Sequence, residues 1–130
     1  MISVKFDHLH VKSHACEVSA QFYTTAFGAS VVSTAEVNGH TRIVVDLGGV
    51  RLFIEDAAGN ASSAPAIPAK GLEHIGLLVS DLDETVRHLE SVGIDLALGI
   101  RNSARPGIRM AFLYGPDGEY IELIERRDPS

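Results

Sequence analysis

Apolar and polar residues alternate through VKFDHLHVK (4–12), placing Phe6, His8 and His10 on one face and Leu9 and Val11 on the other, the period of a half-buried strand. The period changes in ACEVSAQFYTTAFGA, where Val18, Phe22, Ala26 and Phe27 fall at helical spacing and Gly28 supplies a stop. SVVSTAEV and TRIVVDLG return to strand spacing around a hairpin turn at NGH (38–40), and VRLFIED (50–56) follows two glycines as another strand. An Ala-, Ser-, Pro- and Gly-rich linker covers 58–70. Beyond it the same order returns. LEHIGLLVS (72–80) predicts a strand, and DLDETVRHLESVG (81–93) a helix with Asp81 as N-cap, Leu82, Val86, Leu89 and Val92 on one stripe, and Gly93 as the stop. IDLALGI, IRMAFLYG and EYIELIER predict three more strands, the last two joined by a turn at GPDG (115–118).

Each half therefore reads strand–helix–strand–strand–strand. The expectation is an α+β chain of two tandem βαβββ modules, 1–57 and 71–127, forming one domain. Spacing supports the repeat: Gly28 and Gly93 lie 65 residues apart, His8 and His74 66, and Glu55 and Glu122 67. Glu122 sits mid-strand in YIELIE between apolar neighbours, and the repeat pairs it with Glu55 in LFIED. Glu125, at the end of that strand, is expected to be solvated.

A net charge of -6 and a pI near 5.4 exclude the clustered basic surface that nucleic-acid binding requires. No apolar run approaches the ~20 residues of a membrane helix, and the opening residues lack a signal-peptide layout. The single cysteine, Cys16, permits no intrachain disulfide, so a cytoplasmic protein is expected and Cys16 is read as a small residue near a helix start. Arg126 and Arg127 are read as a solvated chain end, and His14, His40 and His88 as solvated.

If the halves fold alike, each offers one imidazole and one carboxylate, and His8, Glu55, His74 and Glu122 together make a two-nitrogen, two-oxygen set. Such donors suit one divalent ion of Ni, Co, Zn, Mn or Fe, with positions left open for substrate oxygens. A carboxylate buried among Leu, Phe and Ile is costly unless a metal or a cation compensates it. His10 shares the face of His8 and is a candidate to line the substrate cavity. Arg42 and Arg109 are candidates to meet an anionic group, and Arg42 has Asp46 on its own face as an alternative partner.

The paired modules, the opening strands DHLHV and EHIGLLV, and the closing hairpin GPDGEYIELIE resemble the vicinal oxygen chelate superfamily, which holds glyoxalase I, methylmalonyl-CoA epimerase, extradiol dioxygenases, fosfomycin-resistance thiol transferases and bleomycin-binding proteins. The resemblance runs from about residue 4 to 126. It implies half-barrel sheets around a metal-binding cavity and a homodimer acting on a small molecule. It also implies His8, Glu55, His74 and Glu122 as ligands and a lyase or isomerase of the glyoxalase I type. Glu122, or else Glu55, would move a proton alpha to a carbonyl, with Tyr120 a further substrate contact. The alternatives are a ferrous ring-cleaving dioxygenase on His8, His74 and Glu122, a metal-dependent thiol transferase, and a non-catalytic ligand-binding module. A carboxylate ligand at Glu55 would count against the dioxygenase, and the scarcity of aromatics (6%, no Trp) against the binding module.

Overall fold

The computed structural model describes residues 1–127, and the chain divides into two compact units, one of residues 1–62 and one that begins at Ser63. In the first, β1 (His8–Ser13), β2 (Ser30–Val37), β3 (His40–Leu47) and β4 (Val50–Asp56) form a sheet of order β1-β4-β3-β2, with helix α1 (Cys16–Phe27) between β1 and β2. β1 runs parallel to β4, and the other pairs are antiparallel. The β2–β3 connection is a two-residue turn, Asn38–Gly39, with both φ angles positive (51° and 80°), the twist that matches a hairpin.

The first strand starts at His8, four residues later than the alternation suggests, and Phe6 is exposed. Helix α1 is also turned from its expected stripe. Cys16, Ser19, Ala20, Tyr23 and Ala26 face inward, while Val18 is 52% exposed. Small residues let the helix lie close to the sheet, and the buried Ser19 hydroxyl finds the Ser13 hydroxyl at 2.6 Å. Apolarity alone selects Val18; polar pairing and close approach select Ser19. Ile43, Val45, Leu47, Leu52 and Ile54 complete this core from the helix side of the sheet, each worth about 1.5–3 kcal/mol when fully buried.

The second unit repeats the plan with β5 (Ile75–Leu78), α2 (Leu82–Ser91), β6 (Leu98–Asn102), β7 (Ile108–Tyr114) and β8 (Tyr120–Arg126), in sheet order β5-β8-β7-β6. Asp81 caps α2 as expected, accepting the Glu84 N–H at 3.0 Å. Leu82, Val86 and Leu89 are buried against Ala111, Leu113, Ile121 and Leu123, whereas Val92 lies past the helix end and is exposed. Among the described residues, no helix is long and apolar enough to cross a membrane.

Both helices begin against a carboxylate at the end of the strand that closes their unit. Asp56 accepts the Cys16 N–H at 2.8 Å, and Glu125 accepts the Leu82 N–H at 2.7 Å. Each satisfies an otherwise unpaired donor and sits at the positive end of the helix.

Candidate metal centre

These two helix-capping carboxylates make Asp56 and Glu125 equivalent, and the strand register carries the equivalence along both sheets. On the face of the first sheet opposite α1, three rows cross β1, β4 and β3: His8–Arg51–Asp46, His10–Phe53–Val44 and Lys12–Glu55–Arg42. In the second unit, Gly76–Glu122–Phe112 and Leu78–Ile124–Met110 cross β5, β8 and β7. His74 continues β5 by one residue toward Tyr120, which pairs with Tyr114. His8 and His74 thus hold the same station, as expected. Glu122 and Glu55 do not: the station of Glu122 is filled by Phe53 in the first unit, and Glu55 stands one row further along, where the second unit has Ile124.

His8 and His74 share a local arrangement that the spacing argument missed. The Asp7 Oδ2 lies 2.6 Å from His8 Nδ1, and the Glu73 Oε1 lies 3.0 Å from His74 Nδ1. An ionised carboxylate only accepts, so each contact favours a proton on Nδ1, and the neutral ring in that tautomer has Nε2 free to ligate a metal. The signal was present as the repeated dipeptides Asp-His and Glu-His. Phe53 stacks on His8 at 3.8 Å between ring centroids and 7° between planes; Phe112 and Tyr120 meet His74 edge-on at 5.9 and 6.3 Å. His74 Nε2 lies 3.3 Å from Glu122 Oε1, so one nitrogen and one oxygen donor stand together in the second unit. Within each unit taken by itself, no three His, Cys, Asp or Glu side chains gather into a metal-holding group among the described residues.

Glu55 has other partners. Lys12 donates to its Oε1, while Arg42 donates to Oε2 from Nε at 3.0 Å and from Nη2 at 2.8 Å. These cations hold its carboxyl well below the usual range, at about 2. The cation that a buried carboxylate needs is supplied here by protein. Arg42 therefore pairs with Glu55, and Asp46 instead meets Arg51 at 3.5 Å. His10 shares the face of His8, with its ring edge against Phe53 at 6.2 Å and Nε2 3.9 Å from Glu55. Burial, opposed by Glu55, lowers its pKa from the ordinary value.

Two expectations in the second unit, those for Glu125 and Arg109, are corrected. Glu125 is buried, 2% exposed, and besides the Leu82 N–H it takes Arg109 Nε at 3.0 Å and Arg127 Nε at 2.7 Å. Arg109 and the α2 amide pull its carboxyl down to about 2. Arg109 pairs across the ladder with Glu125 on the helix side of the sheet, so it faces away from Glu122; Asp83 completes its partners at 2.7 Å. Arg127 joins this cluster from an exposed position, and Arg126 is exposed as well, so the pair is solvated as expected. Tyr120 does share the face of Glu122, stacked on Phe112 at 4.9 Å, and burial raises its pKa.

Paired βαβββ units of this register define a glyoxalase-like architecture. The chain belongs to the glyoxalase/bleomycin resistance protein/dioxygenase superfamily, whose family model matches residues 7–112. It is 40% identical over 57 residues to glyoxalase I of Saccharomyces cerevisiae, a match spanning 44% of this chain and 17% of that protein. Its fold is similar to that of a glyoxalase family protein from Enterococcus faecalis (24% identity, TM-score 0.80, covering 93% of this chain and 97% of that one). It is also similar to a mutant of the fosfomycin resistance protein FosX from Listeria monocytogenes, solved with Mn(II) and dihydroxypropylphosphonic acid (17% identity, TM-score 0.71, covering 95% and 92%).

Proposed function

We propose that this protein is a metal-dependent lyase or isomerase that binds a small molecule through two adjacent oxygens, with His8, His74 and Glu122 as the ligands of one divalent ion. The observation that carries this reading is the state of the two glutamates. Glu122 stands 3.3 Å from the Nε2 of His74, whereas the Glu55 carboxylate is held by the cations Lys12 and Arg42. Two imidazoles and one carboxylate suit Mn, Fe, Co, Ni or Zn, and a neighbour in fold was solved with Mn(II). Such an ion supplies Lewis acidity toward a bound carbonyl or hydroxyl oxygen. In this reading Glu122 carries a proton to and from the substrate. Glu55, with its carboxyl at about 2 and its oxygens taken, is too weak a base for that role. Phe53 in the first unit, and Phe112 and Tyr120 in the second, give each histidine aromatic neighbours.

One observation favours a second reading, a ferrous ring-cleaving dioxygenase. With Phe53 in place of a fourth carboxylate, three positions of a six-coordinate ion stay open, one more than a chelating substrate needs. The two readings part in a direct assay. A lyase or isomerase exchanges substrate C–H for deuterium without oxygen, and a dioxygenase consumes oxygen with a catechol.

The ligand set is tested by titrating purified apo-protein with Mn(II), Co(II) and Zn(II). His8→Ala, His74→Ala and Glu122→Gln should each weaken binding by at least ~100-fold, while Glu55→Gln stays within ~10-fold of the parent. Equal losses at Glu55 and Glu122 would restore the four-ligand reading; no binding by the parent would end both.

A further inference from the structure

The row Lys12–Glu55–Arg42 has an apolar counterpart in the second unit, Leu78–Ile124–Met110. One module of this chain thus builds the same three stations from hydrocarbon. Glu55 is buried there and sheds its water, and apolar replacements of buried ionic groups are commonly neutral or stabilising. Stability alone does not account for the charged version. The row holds two permanent cations and one carboxylate, so an excess positive charge faces the same side as His8. Glu55, 6% exposed, holds the two cations side by side. Its bonds to Arg42 use Nε and Nη2, leaving Nη1 to donate elsewhere, and the Lys12 side chain is 55% exposed. Phe53 lies under the Arg42 guanidinium, 5.3 Å from ring centroid to Cζ, and limits its swing.

We propose that Lys12 and Arg42, positioned by Glu55, are a subsite for an oxyanion group of the substrate. This rests on the reading above that His8 is a ligand, and it narrows the substrate to an anionic small molecule. Lys12 lies four residues along β1 from His8, about 13 Å at ~3.3 Å per residue. The anionic group is therefore a tail separated from the chelating oxygens, and not one of them.

The test uses full-length, metal-free protein, titrated separately with inorganic phosphate and with acetate while the Lys12 and Arg42 side-chain NMR signals are followed. Saturable shifts of both side chains are expected, and the two titrations show whether a phosphate or a carboxylate suits the subsite. The backbone amide of Phe53, under the Arg42 guanidinium and present in both proteins, is followed as well; the triple variant Lys12→Leu, Glu55→Ile, Arg42→Met copies the row of the second unit and is expected to fold with undiminished thermal stability while the Phe53 amide no longer responds to the anion. Absence of side-chain shifts in the parent, or an equal anion-dependent shift of the Phe53 amide in the folded triple variant, would overturn the subsite. Metal titration of the same two proteins separates the claims. Equal metal affinity with lost anion shifts supports the subsite, and anion shifts in a protein that takes up no metal would retain the subsite while ending the metal reading.

Discussion

Phe53 and Glu122 occupy the same station of their two sheets, each one row from a histidine and each in the strand that ends on a helix-capping carboxylate. On the proposed ligand set, these two stations decide whether the ion would have three or four protein donors. Replacing Phe53 by Glu should restore a symmetric pair of carboxylates and raise metal affinity by about tenfold or more, roughly 1.4 kcal/mol. Calorimetric titration of the variant with Zn(II) reads this directly. Unchanged or weaker binding would show that the Phe53 station does not face the ion.

Most of the architecture was legible, and the pairing of Glu55 with Glu122, which the strand register overturns, has a simple origin. Alternation reports which face a residue takes, and Phe53 and Glu55 take the same face. It does not report the row. His8 and Glu55 lie 47 residues apart and His74 and Glu122 48, a near match that suggested equivalence. The true partner of Glu122 is 45 residues from His8, because the second module is three residues longer between those strands. Aligning the terminal acids of LFIED and IELIE would have exposed the offset. Glu125 was misread for a related reason: its charge suggested solvent, and only the arriving helix amide, Arg109 and Arg127 make its burial tolerable.

That cluster predicts a large loss on truncation. Glu125→Ala leaves Arg109, 18% exposed, without its main partner and the Leu82 amide without an acceptor. Breaking such a buried network costs about 3–5 kcal/mol, to be read from urea unfolding with the m-value unchanged. A loss below about 1 kcal/mol would place Glu125 among ordinary surface pairs.

Acid should unfold the protein through its paired carboxylates. Glu125 and Glu55 fall from an ordinary 4.5 to about 2 in the folded chain, and Arg109 lowers Asp83 as well. A group depressed on folding binds fewer protons folded than unfolded, so its contribution is complete above the unfolded value of 4.5 and is lost as pH falls toward 2. The urea midpoint should therefore hold steady above about pH 5 and drop steeply below it. In Glu125→Gln the drop should be shallower; an unchanged slope would remove Glu125 from the titration.

Cys16 offers a test of the first unit that involves no metal. The thiol is 2% exposed at the start of α1, and burial first, then the Asp56 hydrogen bond and charge, push it up from 9.0 to about 11. Thiolate is the reactive form, so two units imply a roughly hundredfold smaller thiolate population at pH 8 than in the unfolded chain, before any steric protection. Alkylation of native protein by iodoacetamide at pH 8 should accordingly be slower by at least that factor than in denaturant. Asp56→Asn keeps an acceptor for the Cys16 N–H but removes the neighbouring negative charge, so the pH midpoint of alkylation should move down while the far-ultraviolet spectrum is retained. Parent protein that reacts as fast folded as unfolded would mean that the start of α1 opens freely, and the carboxylate at the end of β4 would then not be holding it closed.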